Sequence, residues 1–230
     1  MCGHCKYFFT YHNISRFHII DCDNAIPPIN IYSPEIYFRY EWSDWLTPIG
    51  LKKQTKRRFD TIFYISFQEA MLETSLDNKE ITSMQFADPI DIMQRHLNGE
   101  LWLAPPQFWE ISRMVNIHSF EDLKTFSIGR EHKGCETWLP ILKHYIGGYY
   151  SIYPGDDLYP KNPDFYGKEV TQTDCDEGAQ GDEDMKSQNL NRMKQNGLHD
   201  YTIHVNVEDP FGHFIPKSIP RMTGKIDNKL

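Results

Sequence analysis

The stretch Phe59-Asp60-Thr61-Ile62-Phe63-Tyr64-Ile65-Ser66-Phe67 constrains the fold more than any other part of the chain. Successive side chains of a strand point to opposite faces. Phe59, Thr61, Phe63, Ile65 and Phe67 therefore share one face, and Asp60, Ile62, Tyr64 and Ser66 the other. Both faces carry large apolar groups. Such a strand needs cover on both sides, which predicts a central position in a sheet. The extended segment from Ile36 through Trp42 to Trp45 is the expected neighbour, reached through the basic turn Lys52-Lys53-Gln54-Thr55-Lys56-Arg57-Arg58.

Further along, residues 69–80 read as a loop and Ile81 to Ala87 as another strand. Asp88-Pro89-Ile90-Asp91 is a helix start, with a capping acid, a proline where the missing donor does no harm, and a second acid in the first turn. Ile90, Met93 and Leu97 form its expected apolar stripe, and Gly99 can take the left-handed closing position. A second helix follows Pro105-Pro106, with Phe108, Ile111 and Val115 on one face. Ser119 caps a third, with Leu123 and Phe126 inward. Glu110, Glu121, Asp122, Glu131 and Glu136 read as solvated helix faces and caps, because no tight grouping brings several of them to one cation. Trp109 and Trp138 sit among apolar residues and read as core rather than as stacking platforms for a base. The strand at 149–153 and the alternating stretch His199 to Val207 are expected to pair as a small hairpin. Between them, Asp174, Asp176, Glu177, Asp182, Glu183 and Asp184 mark residues 160–197 as an acidic, disordered loop. His204 reads as an exposed strand histidine.

The formal net charge is −8, from 32 acidic and 24 basic residues, which argues against a general nucleic-acid binder. No apolar run reaches the length of a membrane span, and residues 1–36 show neither a signal-peptide pattern nor a stable secondary-structure period. Five scattered cysteines are expected to be free thiols in a reducing compartment. Cys2 and Cys5 have C-x-x-C spacing, and His12, His18 and Cys22 complete a zinc set by count. The second short-spaced pair of a tetrahedral site is lacking, so a zinc site is the minor reading.

Five stretches in fixed order resemble the Nudix hydrolases, most closely those of the acyl-coenzyme A diphosphatase type. They are Trp42 and Trp45 with Leu46-Thr47-Pro48, Arg57-Arg58-Phe59-Asp60-Thr61, Leu103-Ala104-Pro105-Pro106-Gln107-Phe108, Trp138-Leu139-Pro140-Ile141, and Tyr153-Pro154-Gly155-Asp156-Asp157-Leu158-Tyr159. The resemblance covers the chain from about Tyr37 onward. It implies an α+β fold: an incomplete Nudix-type α/β/α sandwich with a C-terminal helical and hairpin extension. The corresponding divisions are an unassigned or disordered N-terminus at 1–36, a Nudix-like part with helical extension at 37–159, the acidic loop at 160–197, and a terminal strand and tail at 198–230.

Members of that family cleave the diphosphate of coenzyme A or acyl-coenzyme A into 3′,5′-ADP and a 4′-phosphopantetheine product. They use Mg²⁺ or Mn²⁺ held by the box G-x5-E-x7-R-E-U-x-E-E-x-G-U, where U is aliphatic; the cations polarise the diphosphate and activate water. The box is absent from this sequence, so the chain is expected to be the part that follows the catalytic helix, with no catalytic residue and no metal set of its own. A non-catalytic module that binds a nucleotide or a partner is the alternative. Arg57 and Arg58, with Asp60 beside them, are either a solvated turn or a contact to the phosphates of coenzyme A, which guanidinium forks match in pairs. Asn228-Lys229-Leu230 resembles the address read by the peroxisomal import receptor. A peroxisomal location is therefore expected, with mitochondrion or cytosol as alternatives.

Overall fold

The computed structural model describes residues 2–12, 16–22, 39–48, 58–68, 81–117, 119–166, 187–209 and 211–221. Within them the fold is α+β. Its elements in chain order are β1 (Cys2–His12), β2 (Arg16–Cys22), β3 (Arg39–Leu46), β4 (Arg58–Gln68), β5 (Ile81–Ala87), α1 (Pro89–Leu97), α2 (Pro105–Met114) and α3 (Phe120–Arg130). A 3-10 turn at Glu131–Lys133 leads on to β6 (Thr137–Trp138), β7 (Ile141–Tyr145), β8 (Gly148–Ile152), β9 (Asn191–Gly197) and β10 (Asp200–Val205). A six-stranded mixed sheet has the order β5-β2-β1-β4-β3-β6, and a four-stranded antiparallel sheet the order β10-β9-β8-β7.

The strand with two apolar faces is β4, and it lies inside its sheet, parallel to β1 and antiparallel to β3. Phe63 and Ile65 are completely buried, while Ile62 and Tyr64 on the other face are half-buried. In a regular strand Trp42 and Trp45 would point to opposite faces. A register shift between Glu41 and Ser43 inserts one extra residue, and both indoles reach the core. Thr47 closes the β3–β4 end: its backbone N–H donates to the Phe59 carbonyl at 2.8 Å, and its hydroxyl accepts from the Phe59 N–H at 2.9 Å.

Residues 1–36, unassigned from the sequence, contain two strands, β1 and β2. Tyr7-Phe8-Phe9 is rich in strand formers but shows no period-two alternation, so pattern alone does not reveal it.

The helix starts follow the sequence. Asp88 caps α1 by accepting from the Ile90 N–H at 2.9 Å, and Gly99 takes φ 79° after its last turn. The α1 stripe differs from the expected one: Ile92, Met93, His96 and Leu97 are buried, and Ile90 is 40% exposed. Before α2, the Gln107 side chain accepts from the Ala104 N–H at 2.8 Å, which satisfies a donor ahead of Pro105 and Pro106. Ser119 accepts from the Asp122 N–H at 3.0 Å and caps α3. One apolar cluster runs from Trp42, Trp45 and Phe63 through Trp109 and Leu123 to Met193, Tyr201 and Ile203, so both sheets share a core.

The expected hairpin between the 149–153 and 199–207 strands is wrong. Strand β9 lies between β8 and β10, and β7 adds a fourth strand, so the extension is a four-stranded sheet. Residues 191–197 therefore belong to a sheet and not to the acidic loop; residues 167–186 of that loop lie outside the described residues. Gly148 permits the close approach of β8 to β9, because a Cβ there would sit 2.1 Å from the Gln195 carbonyl oxygen.

The loop Tyr153 to Tyr159 fastens β9 in place. Asp156 accepts from Arg192 Nε at 2.7 Å and Nη2 at 2.6 Å, and also from the backbone N–H groups of Asn191 and Leu158. Both side chains of this forked ion pair are completely buried. Asp157 accepts from the Gln188 and Asn189 N–H groups. Truncation as Asp156→Ala would leave a buried guanidinium uncompensated, and the expected loss of stability is about 3–5 kcal/mol. Urea denaturation checks this; an unchanged midpoint would refute the role given to the pair.

Candidate functional site

The residues marked by sequence fall at the β3–β4 end. Arg58 opens β4, and its Nε and Nη1 donate to the carbonyls of Thr47 (2.9 Å) and Phe165 (2.7 Å). Its Nη2 is buried and has no hydrogen-bond partner among the described residues. Arg58 thus joins two loops through their backbones. Arg57 and Asn228-Lys229-Leu230 lie outside the described residues, as do the side chains of Cys2, Cys5, His12, His18 and Cys22.

Asp60 lies opposite Leu46, so it shares a sheet face with Asp44, the diagonal neighbour two residues along β3. Thr137, paired with Asp44 across β3 and β6, donates its hydroxyl to Asp44 at 2.5 Å. Burial and the neighbouring Asp60 carboxylate push the Asp44 carboxyl up to about 6, against the Thr137 hydrogen bond. The Asp44 carboxyl therefore keeps its proton into mildly acidic pH.

A second constellation lies beneath β3. Glu110 on α2 is completely buried, which corrects its reading as a solvated helix residue. It accepts from the Trp45 indole N–H at 2.8 Å and lies 3.4 Å from Arg113 Nε. Arg113 Nη1 donates to Asp209 at 3.1 Å and to the Phe214 carbonyl at 3.0 Å. Its guanidinium also stands over the Trp138 ring, 5.1 Å from the centroid. Arg130 at the end of α3, His213 and Cys135 complete the surroundings of a small cavity. Burial raises the Glu110 carboxyl above its usual range despite Arg113, and lowers His213 well below its own. Burial likewise raises the free thiol of Cys135 to about 11, so it is not a thiolate nucleophile at neutral pH. Glu121, Asp122, Glu131 and Glu136 are exposed, as expected. Trp109 and Trp138 are core.

Two histidines meet where α1 touches the C-terminal sheet. His96 Nδ1 accepts from the Leu103 N–H at 3.0 Å, and His199 Nδ1 donates to the His96 carbonyl at 3.0 Å. Burial first, then the charges of His199 and Arg221, pull His96 down to about 4. A groove of about 440 Å³ runs alongside, lined by His199, Tyr201, Thr202, Ser218 and Arg221. His204, expected to be exposed, is half-buried, and burial with Lys194 and Arg192 lowers its pKa.

Among the described residues, no three His, Cys, Asp or Glu side chains gather as a metal site. Asp44 and Asp60 bring two carboxyls to one sheet face, with no third ligand among the described residues. The described residues therefore offer no ligand set that fits Mg²⁺ or Mn²⁺.

The NUDT19 Nudix domain model matches residues 28–114, and the NUDT19 C-terminal domain model matches residues 144–206. The acyl-coenzyme A diphosphatase NUDT19 of Gallus gallus is 34% identical over 200 residues, covering 86% of this chain and 52% of the relative. Its Homo sapiens counterpart is 34% identical over 187 residues, 81% of this chain and 48% of the relative. The Xenopus laevis counterpart is 38% identical over 138 residues, 60% and 36% respectively. The chain thus spans about half the length, or less, of these curated relatives. No solved structure matches it.

For Asp44 the folded pKa lies above the unfolded value, so the folded state binds more protons between about pH 4 and 6 and loses stability as pH rises through that window. Asp44→Asn removes this dependence. Its melting temperature is expected to exceed the parent's above pH 6 and to approach it near pH 4; parallel curves would exclude the raised Asp44 pKa.

Proposed function

Because the chain belongs to the NUDT19 family of Nudix proteins, we propose that it serves the hydrolysis of a coenzyme A-type diphosphate. The products would be 3′,5′-ADP and 4′-phosphopantetheine or its acyl form. One observation carries this reading: the Nudix and C-terminal models of a single family match in order on one chain. The contribution proposed for this chain is the scaffold, meaning the central strands, the three helices and the C-terminal sheet. Each stretch that resembles the family has a structural task in the described residues, as with Thr47 sealing Phe59 or Asp156 holding Arg192.

Divalent cation chemistry belongs to the family's box, which this sequence lacks, and no step through a metal is assigned to these residues. The chain by itself is proposed to be a poor catalyst. Metal ions supply several kcal/mol of transition-state stabilisation, so turnover at least about a thousandfold below that of a full-length relative is expected. Chromatographic detection of 3′,5′-ADP from coenzyme A with Mg²⁺ or Mn²⁺ checks this, and a comparable rate would refute it.

The absent box also favours a second reading, a non-catalytic module that holds the ligand. Calorimetry with coenzyme A separates the two: binding without product supports the module, and the absence of both removes it. Arg57 and Arg58 remain the proposed phosphate contacts. Arg57→Ala is expected to weaken binding without lowering the melting temperature. Arg58→Ala is expected to lower the melting temperature as well, because it frees two loop carbonyls.

A further inference from the structure

The cavity beneath β3 is lined by Trp42 and Ser43 of β3, Glu110 and Arg113 of α2, Arg130 of α3, and Asp209 and His213 of the segment after β10. Among the described residues, five buried polar atoms here lack a hydrogen bond of normal geometry: Trp42 Nε1, Glu110 Oε2, Arg113 Nε, Arg130 Nε and His213 Nε2; the Trp42 backbone is within reach of the His213 ring, and Ser43 of the Glu110 carboxyl. Glu110 Oε2 and Arg113 Nε face each other as an ion pair at 3.4 Å, which is attraction without a hydrogen bond. His213 Nδ1 accepts from the Phe214 N–H at 2.7 Å, so the neutral ring carries its proton on Nε2. The group therefore presents four N–H donors and one carboxylate acceptor.

Buried polar groups in folded proteins almost always have a partner, and ordered water is the usual one where the chain supplies none. The cavity has a volume of about 20 Å³, above the roughly 10–15 Å³ that a single water needs. An acceptor is called for by the excess of donors. The charges set a further condition. Two guanidiniums, Arg113 and Arg130, stand against the carboxyls of Glu110 and Asp209, and Glu136 lies at the rim, so no excess of positive charge remains to hold an anion.

We propose that this cavity is a water-binding site. The water accepts from Arg130 Nε and from Trp42 Nε1 or His213 Nε2, and donates to Glu110 Oε2. It thereby ties α2 and α3 to β3 through Trp42, or to the segment after β10 through His213, at a point where direct side-chain contacts fall short. The site is independent of any coenzyme A chemistry.

The test is a high-resolution crystal structure of the 230-residue protein, with a parallel crystal soaked in bromide. The expected result is a solvent peak within hydrogen-bond distance of Arg130 Nε and of at least one other of the five atoms, with no anomalous bromide peak there. An empty cavity, side chains closing directly upon one another, or a bromide ion at the site would each overturn the proposal.

Discussion

A carboxylate stripped of water has to be satisfied by the chain, and Glu110 sets that condition for the whole interior. Burying a charge without partners costs far more than any single packing contact returns. Trp45 must therefore present its indole N–H from β3, and Arg113 must sit one helical turn away. Arg113 in turn requires Asp209 and the Phe214 carbonyl, which lie beyond the C-terminal sheet. One buried acid thus couples the Nudix-matched helix to the segment that follows the C-terminal domain. The bulge in β3 belongs to the same constraint, since it lets both Trp42 and Trp45 face this interior.

The family-like stretches gain a physical meaning from this arrangement. Leu103 to Phe108 is the start of a buried helix, with Gln107 closing the donor ahead of two prolines. Trp138 packs against Trp45, Trp109 and Tyr153, with ring centroids 5.2, 6.0 and 5.5 Å apart. Tyr153 to Tyr159 is a clasp for β9. Resemblance in these stretches reflects a shared scaffold, which is a different property from a shared reaction.

The sequence made the local rules legible. Alternation identified β4 and its partner β3, capping chemistry located the starts of α1 and α3, and the proline pair that of α2. It failed where a tertiary partner overrides local pattern. Strand β9 reads Asn-Arg-Met-Lys-Gln-Asn-Gly, with one apolar side chain. Its buried Arg192 is paired with Asp156, and the buried Gln195 amide donates to Ser151, 36 and 44 residues away, so nothing local marks it as buried. Glu110 misled for the same reason, although Arg113 one turn later and an apolar helix around it were a visible hint. At the candidate site, Asp60 lies half-buried near the start of β4. Its neighbour Asp44 depended on register, which residue type does not supply.

The chain after β10 runs back over the helices. Phe214 stacks on Phe126 with centroids 3.8 Å apart, the Gln94 side chain donates to the Pro220 carbonyl, and Arg221 donates to the Leu97 carbonyl. These partners are separated by 124 to 126 residues in the two polar cases, and Arg113 and Asp209 by 96. During synthesis at about 5–20 residues per second, α1 and α2 emerge some 5–25 s before the residues that satisfy them. A nascent chain therefore carries Arg113 and Gln94 with their C-terminal partners still unmade, and the interior can close only when the last described stretch has left the ribosome.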